Sequence, residues 1–265
     1  MTWLLVAILA AGSLSPAAPH STPDEKYLQK GVQLQKEGRY AEAEAAYIAA
    51  LHEMEQRLGP EQPAAAGILD NLGSAQIAKH DYTAARSTFF CSLAMSEKAL
   101  GAEHPKVGLI LGNIAMIDHL QGRFAAAEAG YRRAFDILKK TLGPNHPHTT
   151  RIELGMAKLL FLERRNTEAE GLFEKALLVF DDAPDRHDQL AMALTGLAEA
   201  YRTVGRFTKA EPLYRRMLAL VEERPNVSTD DVGRGLHHFA EMLRKMKRKS
   251  EARELEVQLK TMLPR

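Results

Sequence analysis

The chain has 265 residues, enough for one or two ordinary domains with a substantial core. Its 35 basic and 34 acidic side chains nearly cancel. That balance excludes the strongly basic field with which a general nucleic-acid binder neutralises phosphates. A single cysteine, Cys91, excludes an internal disulfide and a CxxC metal knuckle. Beside Phe90 in a helical run, it is expected to be a small buried packing residue.

The chain opens with MTWLLVAILAAGSLSPAAPHS, apolar from Trp3 to about Leu14. This run is shorter than the roughly 20 residues a helix needs to cross a bilayer. Its position and its small-residue ending fit a secretory signal over residues 1–17, followed by a short linker over 18–23. Ser15-Pro16-Ala17 is the expected cleavage edge, because a cut after Ala18 would leave Pro19 first. No Lys or Arg precedes the run, so an uncleaved membrane anchor is the alternative. No Cys follows it, which argues against a lipid-anchored lipoprotein. Export to the periplasm or beyond is expected, with no stable membrane span after cleavage.

Further along, the chain compares with itself. Residues 38–63 read GRYAEAEAAYIAALHEMEQRLGPEQP and residues 80–105 read HDYTAARSTFFCSLAMSEKALGAEHP. Residues 122–147 read GRFAAAEAGYRRAFDILKKTLGPNHP, and 205–225 read GRFTKAEPLYRRMLALVEERP. Ala43, Ala85, Ala127, Ala169, Ala210 and Ala252 follow at steps of 42, 42, 42, 41 and 42. Tyr47, Phe89, Tyr131, Phe173 and Tyr214 keep the same step. Such self-similarity marks a repeat array, here over 24–265, with copies near 24–63, 64–105, 106–147, 148–187, 188–229 and 230–265.

Within a copy the period is helical. In the fifth, Leu194, Leu197, Ala198 and Tyr201 form one apolar stripe on a first helix, which Gly205 ends in a left-handed cap. A second helix is expected from about Thr208, burying Ala210, Leu213, Tyr214 and Met217, with Pro212 near its first turn. The recurring alanine lets two helices approach closely, and the aromatic one turn later fills the space beside them. Neither helix buries its stripe alone, so copies must stack.

Leu-Gly or Leu-Ala, then Gly-x-aromatic-x-x-Ala, then an aromatic resembles the tetratricopeptide repeat. The 42-residue step with LGPEQP, LGAEHP and LGPNHP endings is similar to its kinesin light chain type. The resemblance covers about residues 24–263 and implies an all-α fold, a right-handed α-α superhelix of about six helix-turn-helix repeats. The fourth copy departs from the pattern at Asn166 and at DDAPDRHDQ. The sixth has Lys247, Lys249 and Glu256 at signature positions and reads as a polar terminal cap. No heptad coiled coil precedes the repeats, so a motor-subunit role is not implied.

Candidate chemistry is sparse. The prolines of His104-Pro105 and His146-Pro147 read as helix starts, and Gln62-Pro63 fills the same slot; a slot that accepts Gln is not a metal-ligand position. His237 and Glu241 share a helical face beside His238 but lack the second His of a zinc protease signature. Asn226-Val227-Ser228 is a sequon only in a glycosylating host; Ser228 or Thr229 is expected to cap the last copy's first helix. Met246-Lys247-Arg248-Lys249 reads as a solvated turn. No GxSxG, P-loop or paired-carboxylate constellation is present. A non-enzymatic protein without cofactor or metal is expected. The competing readings are an accessory subunit of a membrane or envelope assembly, and a hydrolase or metal-binding protein using His237 and His238.

The resemblance further implies that the first helices line a concave groove. Asn71 in DNLG and Asn113 in GNIA match the asparagine that holds a partner's backbone, since an amide donates and accepts at once. Of the basic clamp some co-chaperone members use for a C-terminal dicarboxylate, only Arg151 has a match, so no such clamp is expected. Projected inward, the first three copies present Leu28, Val32, Asp70, Ser74, Ile77, Leu109, Met116 and His119. The last three present Arg151, Lys158, Phe161, Glu199, Arg202, Arg234, His237, Glu241 and Arg244. The peptide-binding candidates are Asn71, Asn113, Arg151, Lys158, Arg202, Arg234 and His238. The expected partner is an extended protein segment, apolar toward the first repeats and acidic toward the last. The alternative is that Arg and Glu pair internally along the helices.

Overall fold

A computed structural model describes residues 22–59, 62–181, 186–223 and 230–262. The expected signal and its cleavage edge, the Asn226 sequon and the Ser228 or Thr229 cap lie outside the described residues.

Two helices per repeat follow from the alternation of apolar stripe and turn. The pairs are α1 (Pro23–Lys36) with α2 (Tyr40–Leu58), α3 (Ala65–Ala78) with α4 (Tyr82–Leu100), and α5 (Pro105–Leu120) with α6 (Phe124–Leu142). They continue as α7 (Pro147–Leu162) with α8 (Asn166–Asp181), α9 (His187–Thr203) with α10 (Phe207–Glu223), and α11 (Asp230–Lys245) with α12 (Lys249–Met262). No strand occurs among the described residues.

The repeated alanine is enclosed on all sides. All six, from Ala43 to Ala252, are 0% exposed. The aromatic beside it is buried as well: Tyr47, Phe89, Tyr131, Phe173 and Tyr214. These rings lie against first-helix glycines in two ways. Tyr47 covers Gly31 and Phe89 covers Gly73 within their own repeats, whereas Tyr131 covers Gly155 and Phe173 covers Gly196 in the next. The second kind ties repeat three to four and repeat four to five, and an apolar core runs on from α7 through α12.

The turn inside each repeat needs one residue in the left-handed region. Gly38, Gly122 and Gly205 supply it with φ of 74°, 74° and 75°, as the sequence pattern implies. His80, Arg164 and Lys247 occupy the same place at 60°, 62° and 65°, where a Cβ is disfavoured.

Pro105 and Pro147 open α5 and α7, and the preceding histidines are the N-caps. His104 Nδ1 accepts from the Lys106 N–H, and His146 Nδ1 from the His148 N–H, each at 3.1 Å. The third member of this slot differs: α3 begins at Ala65, two residues beyond Pro63, and the Gln62 amide donates to the Leu58 carbonyl at 2.7 Å. Pro212 also sits deeper than expected. It is the sixth residue of α10, in the second turn, because the helix starts at Phe207. Cys91 is exposed, not buried; the packed face of α4 is taken by Ala85, Phe89 and Ser92.

Successive first helices pack on one another, α1 on α3, α5 on α7, α7 on α9 and α9 on α11. Second helices are instead bridged by long side chains: Arg133 to Glu97 (2.6 Å) and Arg215 to Glu251 (3.2 Å). Tight first helices and splayed second helices bend the array into a superhelix with the first helices inside. Exposed bridges of this kind contribute about 0–1 kcal/mol each, so the curvature rests on the packed glycines and alanines. Arg248 departs from the expected solvated turn. It reaches Glu211 in the preceding repeat at 2.7 Å and also pairs with Glu251.

Candidate functional site

The inner wall is built from the same step as the core. Starting at Asn71, the inward position passes through Asn113, Gly155, Gly196 and His238, at steps of 42, 42, 41 and 42. In the first three repeats it is flanked by Leu28, Val32, Ile77, Leu109 and Met116, all half-buried. Each packs against the core and keeps part of its surface exposed.

Asn71 is half-exposed, and its amide makes no hydrogen bond among the described residues. Its neighbours are engaged. Asp70 accepts from Ser92 and lies 3.5 Å from Lys106. Burial pushes its carboxyl above the usual range against the pull of both partners. The Ser74 hydroxyl is turned back onto the Asp70 carbonyl at 2.8 Å.

Asn113 and Arg151 are brought together: Arg151 Nη1 donates to Asn113 Oδ1 at 3.3 Å. Burial lowers the guanidinium's pKa, and Arg186 at the start of α9 lowers it further. His148, one turn earlier on α7, is held below its ordinary range by burial and then by Arg151, Arg186 and His146. Lys158 is half-buried two turns further along α7.

Repeat five contains a second cluster. Glu199 accepts from Arg202 at 2.7 Å and from the Tyr214 hydroxyl, whose pKa burial pushes far up. His238 Nδ1 lies 3.0 Å from Glu199 Oε1 without hydrogen-bond geometry. Internal pairing therefore neutralises Arg202, and Arg244 pairs likewise with Glu256. Arg234, His237 and Glu241 are exposed on α11. Thus Asn113 joins Arg151, Arg202 joins His238 through Glu199, and Asn71 stands apart.

The 42-residue step from Asn113 lands on Gly155, and that signal was readable in the sequence. Its consequence was not, because it depends on which ring enters the space a glycine leaves. Among the described residues no three His, Cys, Asp or Glu side chains converge as a metal-ligand set. No described helix is long and apolar enough to cross a membrane.

Stacked helix pairs with a lined inner wall define a helical-repeat scaffold for protein interaction. The chain belongs to the tetratricopeptide repeat family, whose model matches residues 25–98, 65–140, 106–177 and 148–223. No curated protein matches it. Among solved structures it is similar to BtubC (BKLC) of P. vanneervenii, with 22% identity, 78% of this chain and 82% of that one covered, and a TM-score of 0.62. It is similar to the kinesin light chain nearly identical TPR-like repeats of Podosopora anserina, at 19% identity over 76% of this chain and 98% of that one, with a TM-score of 0.57. It is also similar to a Rap protein complexed with Competence and Sporulation Factor, at 14% identity over 91% of this chain and 74% of that one, with a TM-score of 0.67. At these identities the likeness shows the fold.

Proposed function

We propose that this protein is an exported, non-enzymatic scaffold that holds an extended segment of a protein partner in the concave groove. The observation that carries the reading is the inner wall of repeats one to three. Half-buried apolar side chains there run beside Asn71, whose amide has no partner among the described residues. An extended backbone offers the alternating N–H and C=O groups such an amide satisfies, and its side chains fall into the apolar spaces between helices. Repeats four to six change character, with Arg151, Lys158 and Arg234 on the inner helices, so the partner's acidic residues lie toward that end. Export is supported by the apolar run from Trp3 to Leu14 and the small residues after it.

The test uses a partner captured from the envelope fraction, identified, purified and titrated back. Asn71→Ala and Asn113→Ala should each weaken its binding about two- to tenfold, the range of one lost hydrogen bond. Arg132→Ala, on the exposed outer face of α6, should leave it unchanged. Binding that responds to Arg132 and ignores both asparagines would place the interface on the convex side.

A further inference from the structure

We propose that one edge of the array, formed by the turns inside repeats four, five and six, docks on an anionic phospholipid surface through Leu162, Val204, Arg164, Lys245, Lys247 and Lys249. This edge lies away from the groove, so the proposal stands independently of the partner reading.

The first observation is a row of exposed aliphatic groups. The end of a first helix is open to water, and α1 ends there in Lys36. Leu162, the last residue of α7, is instead 55% exposed, and Val204, directly after α9, is 48% exposed. Leu120 ends α5 at 50% exposure, and half-buried Met246 follows α11. A single exposed aliphatic group needs no explanation, but this row places one at every such turn from repeat three to repeat six.

The second observation is strain kept by cations. Arg164 and Lys247 hold the left-handed turn position at φ of 62° and 65°, where Gly38, Gly122 and Gly205 show that glycine serves. A side chain there keeps a strain that the turn itself does not require. Neither side chain offsets it within the fold: Arg164 and Lys247 are exposed and form no ion pair among the described residues, and the same holds for Lys245 and Lys249. The carboxylates of these turns are already engaged, Glu163 and Glu168 by Arg165, Glu170 by Arg206, and Glu211 and Glu251 by Arg248.

Aliphatic tips flanked by unmatched cations fit a lipid surface. The tips enter the acyl boundary, and the long basic side chains reach the phosphates beside them. Protruding turns offer a protein partner no concave seat, and a bilayer needs none. Charge also sets the orientation. The opposite edge of the same repeats, where α8 and α10 end and α9 begins, carries Asp181, Asp188, Glu222 and Glu223. An anionic surface attracts the first edge and repels the second.

The experiment titrates the full chain with vesicles of phosphatidylcholine alone and of phosphatidylcholine with about 30% phosphatidylglycerol, read by co-sedimentation. The apolar run from Trp3 to Leu14 is the same in every variant, so comparisons between variants isolate the edge. Partition onto the anionic vesicles should be at least about tenfold stronger, and high salt should abolish the difference. Lys245→Gln, Lys247→Asn and Lys249→Gln together should weaken it by at least about tenfold. Leu162→Gln with Val204→Gln should weaken it about three- to tenfold. Arg164→Gly with Lys247→Gly should weaken it about tenfold while raising the melting temperature, a split that a purely structural role would not produce. Arg132→Gln, an exposed cation away from this edge, should leave it unchanged. Equal partition onto the two vesicles overturns the proposal, as does indifference to the lysine variant. A lysine effect without any effect of Leu162→Gln and Val204→Gln overturns the lipid assignment in favour of an acidic protein. Weaker partition with a lower melting temperature in the glycine pair overturns the argument from strain.

Discussion

Replacing Gly196 with Ala sets two effects of opposite sign against each other. In a helix interior the change gains about 1 kcal/mol from backbone entropy and propensity. Here, however, the new Cβ would lie 2.2 Å from Phe173 Cε1 and 2.4 Å from Cζ. Carbon atoms pack at about 3.5–4.0 Å, so the ring must retreat by more than about 1 Å. Phe173 is 0% exposed and part of the core shared by repeats four and five, so nothing soft stands behind it. Overpacking of this kind costs about 1–3 kcal/mol, and the larger part of that range applies because the clash is with a rigid ring. The expected net result is a loss of about 1–2 kcal/mol. In a Phe173→Leu background the obstruction is gone, and the same Gly196→Ala change should stabilise by about 1 kcal/mol. Urea midpoints from circular dichroism at 222 nm, measured on all four proteins, read the sign reversal directly. A higher midpoint for Gly196→Ala in the wild-type background would refute the inter-repeat contact between Phe173 and Gly196.

Other consequences follow from the same geometry. Ala127→Leu and Ala210→Leu, at positions with 0% exposure, should each cost about 1–3 kcal/mol and loosen neighbouring repeats, seen as faster amide exchange on both sides. Arg164→Gly, at φ 62°, should raise the melting temperature, because glycine removes a left-handed strain of about 1 kcal/mol; a lower value would show that Arg164 is held there by something else. His148 has its folded pKa depressed by burial, Arg151, Arg186 and His146, so the unfolded chain takes up its proton first as pH falls. The stability it contributes is full above about pH 6.5 and is lost as pH drops through the folded value. His148→Gln should therefore flatten the fall in melting temperature between about pH 7 and 5, and an unchanged profile would contradict this. Trp3 is the single tryptophan, so the proposed cleavage predicts exported native protein with no tryptophan emission and an intact mass beginning near Ala18.

The fold was readable because its information is periodic. A step of 42 residues in small and aromatic positions identifies helix pairs, their turns and their stacking without any contact map. Three local features were not. Cys91 follows two phenylalanines but faces outward, since only Phe89 lies on the packed stripe of α4. His80, Arg164 and Lys247 take a glycine's conformation because the turn geometry is imposed by the helices on either side. Pro63 fills a helix-start slot yet precedes the helix by two residues. The site was legible in part. The family resemblance points to Asn71, Asn113 and Arg151 as candidates, and the structure has them on the first helices α3, α5 and α7 with Arg151 against Asn113. The neutralisation of Arg202 by Glu199 and the arrival of Tyr131 at Gly155 depend on side-chain reach between helices, which spacing along the chain does not encode.

The central claim is that the concave face of this array holds its partner. The most direct measurement places a photoreactive benzoylphenylalanine at Met116, half-buried on inner helix α5, and separately at Arg132 on the outer face of α6, with cross-links to the captured partner mapped by mass spectrometry. The account predicts cross-links from Met116 to a short continuous segment of the partner and none from Arg132. Cross-links from Arg132 alone would contradict it.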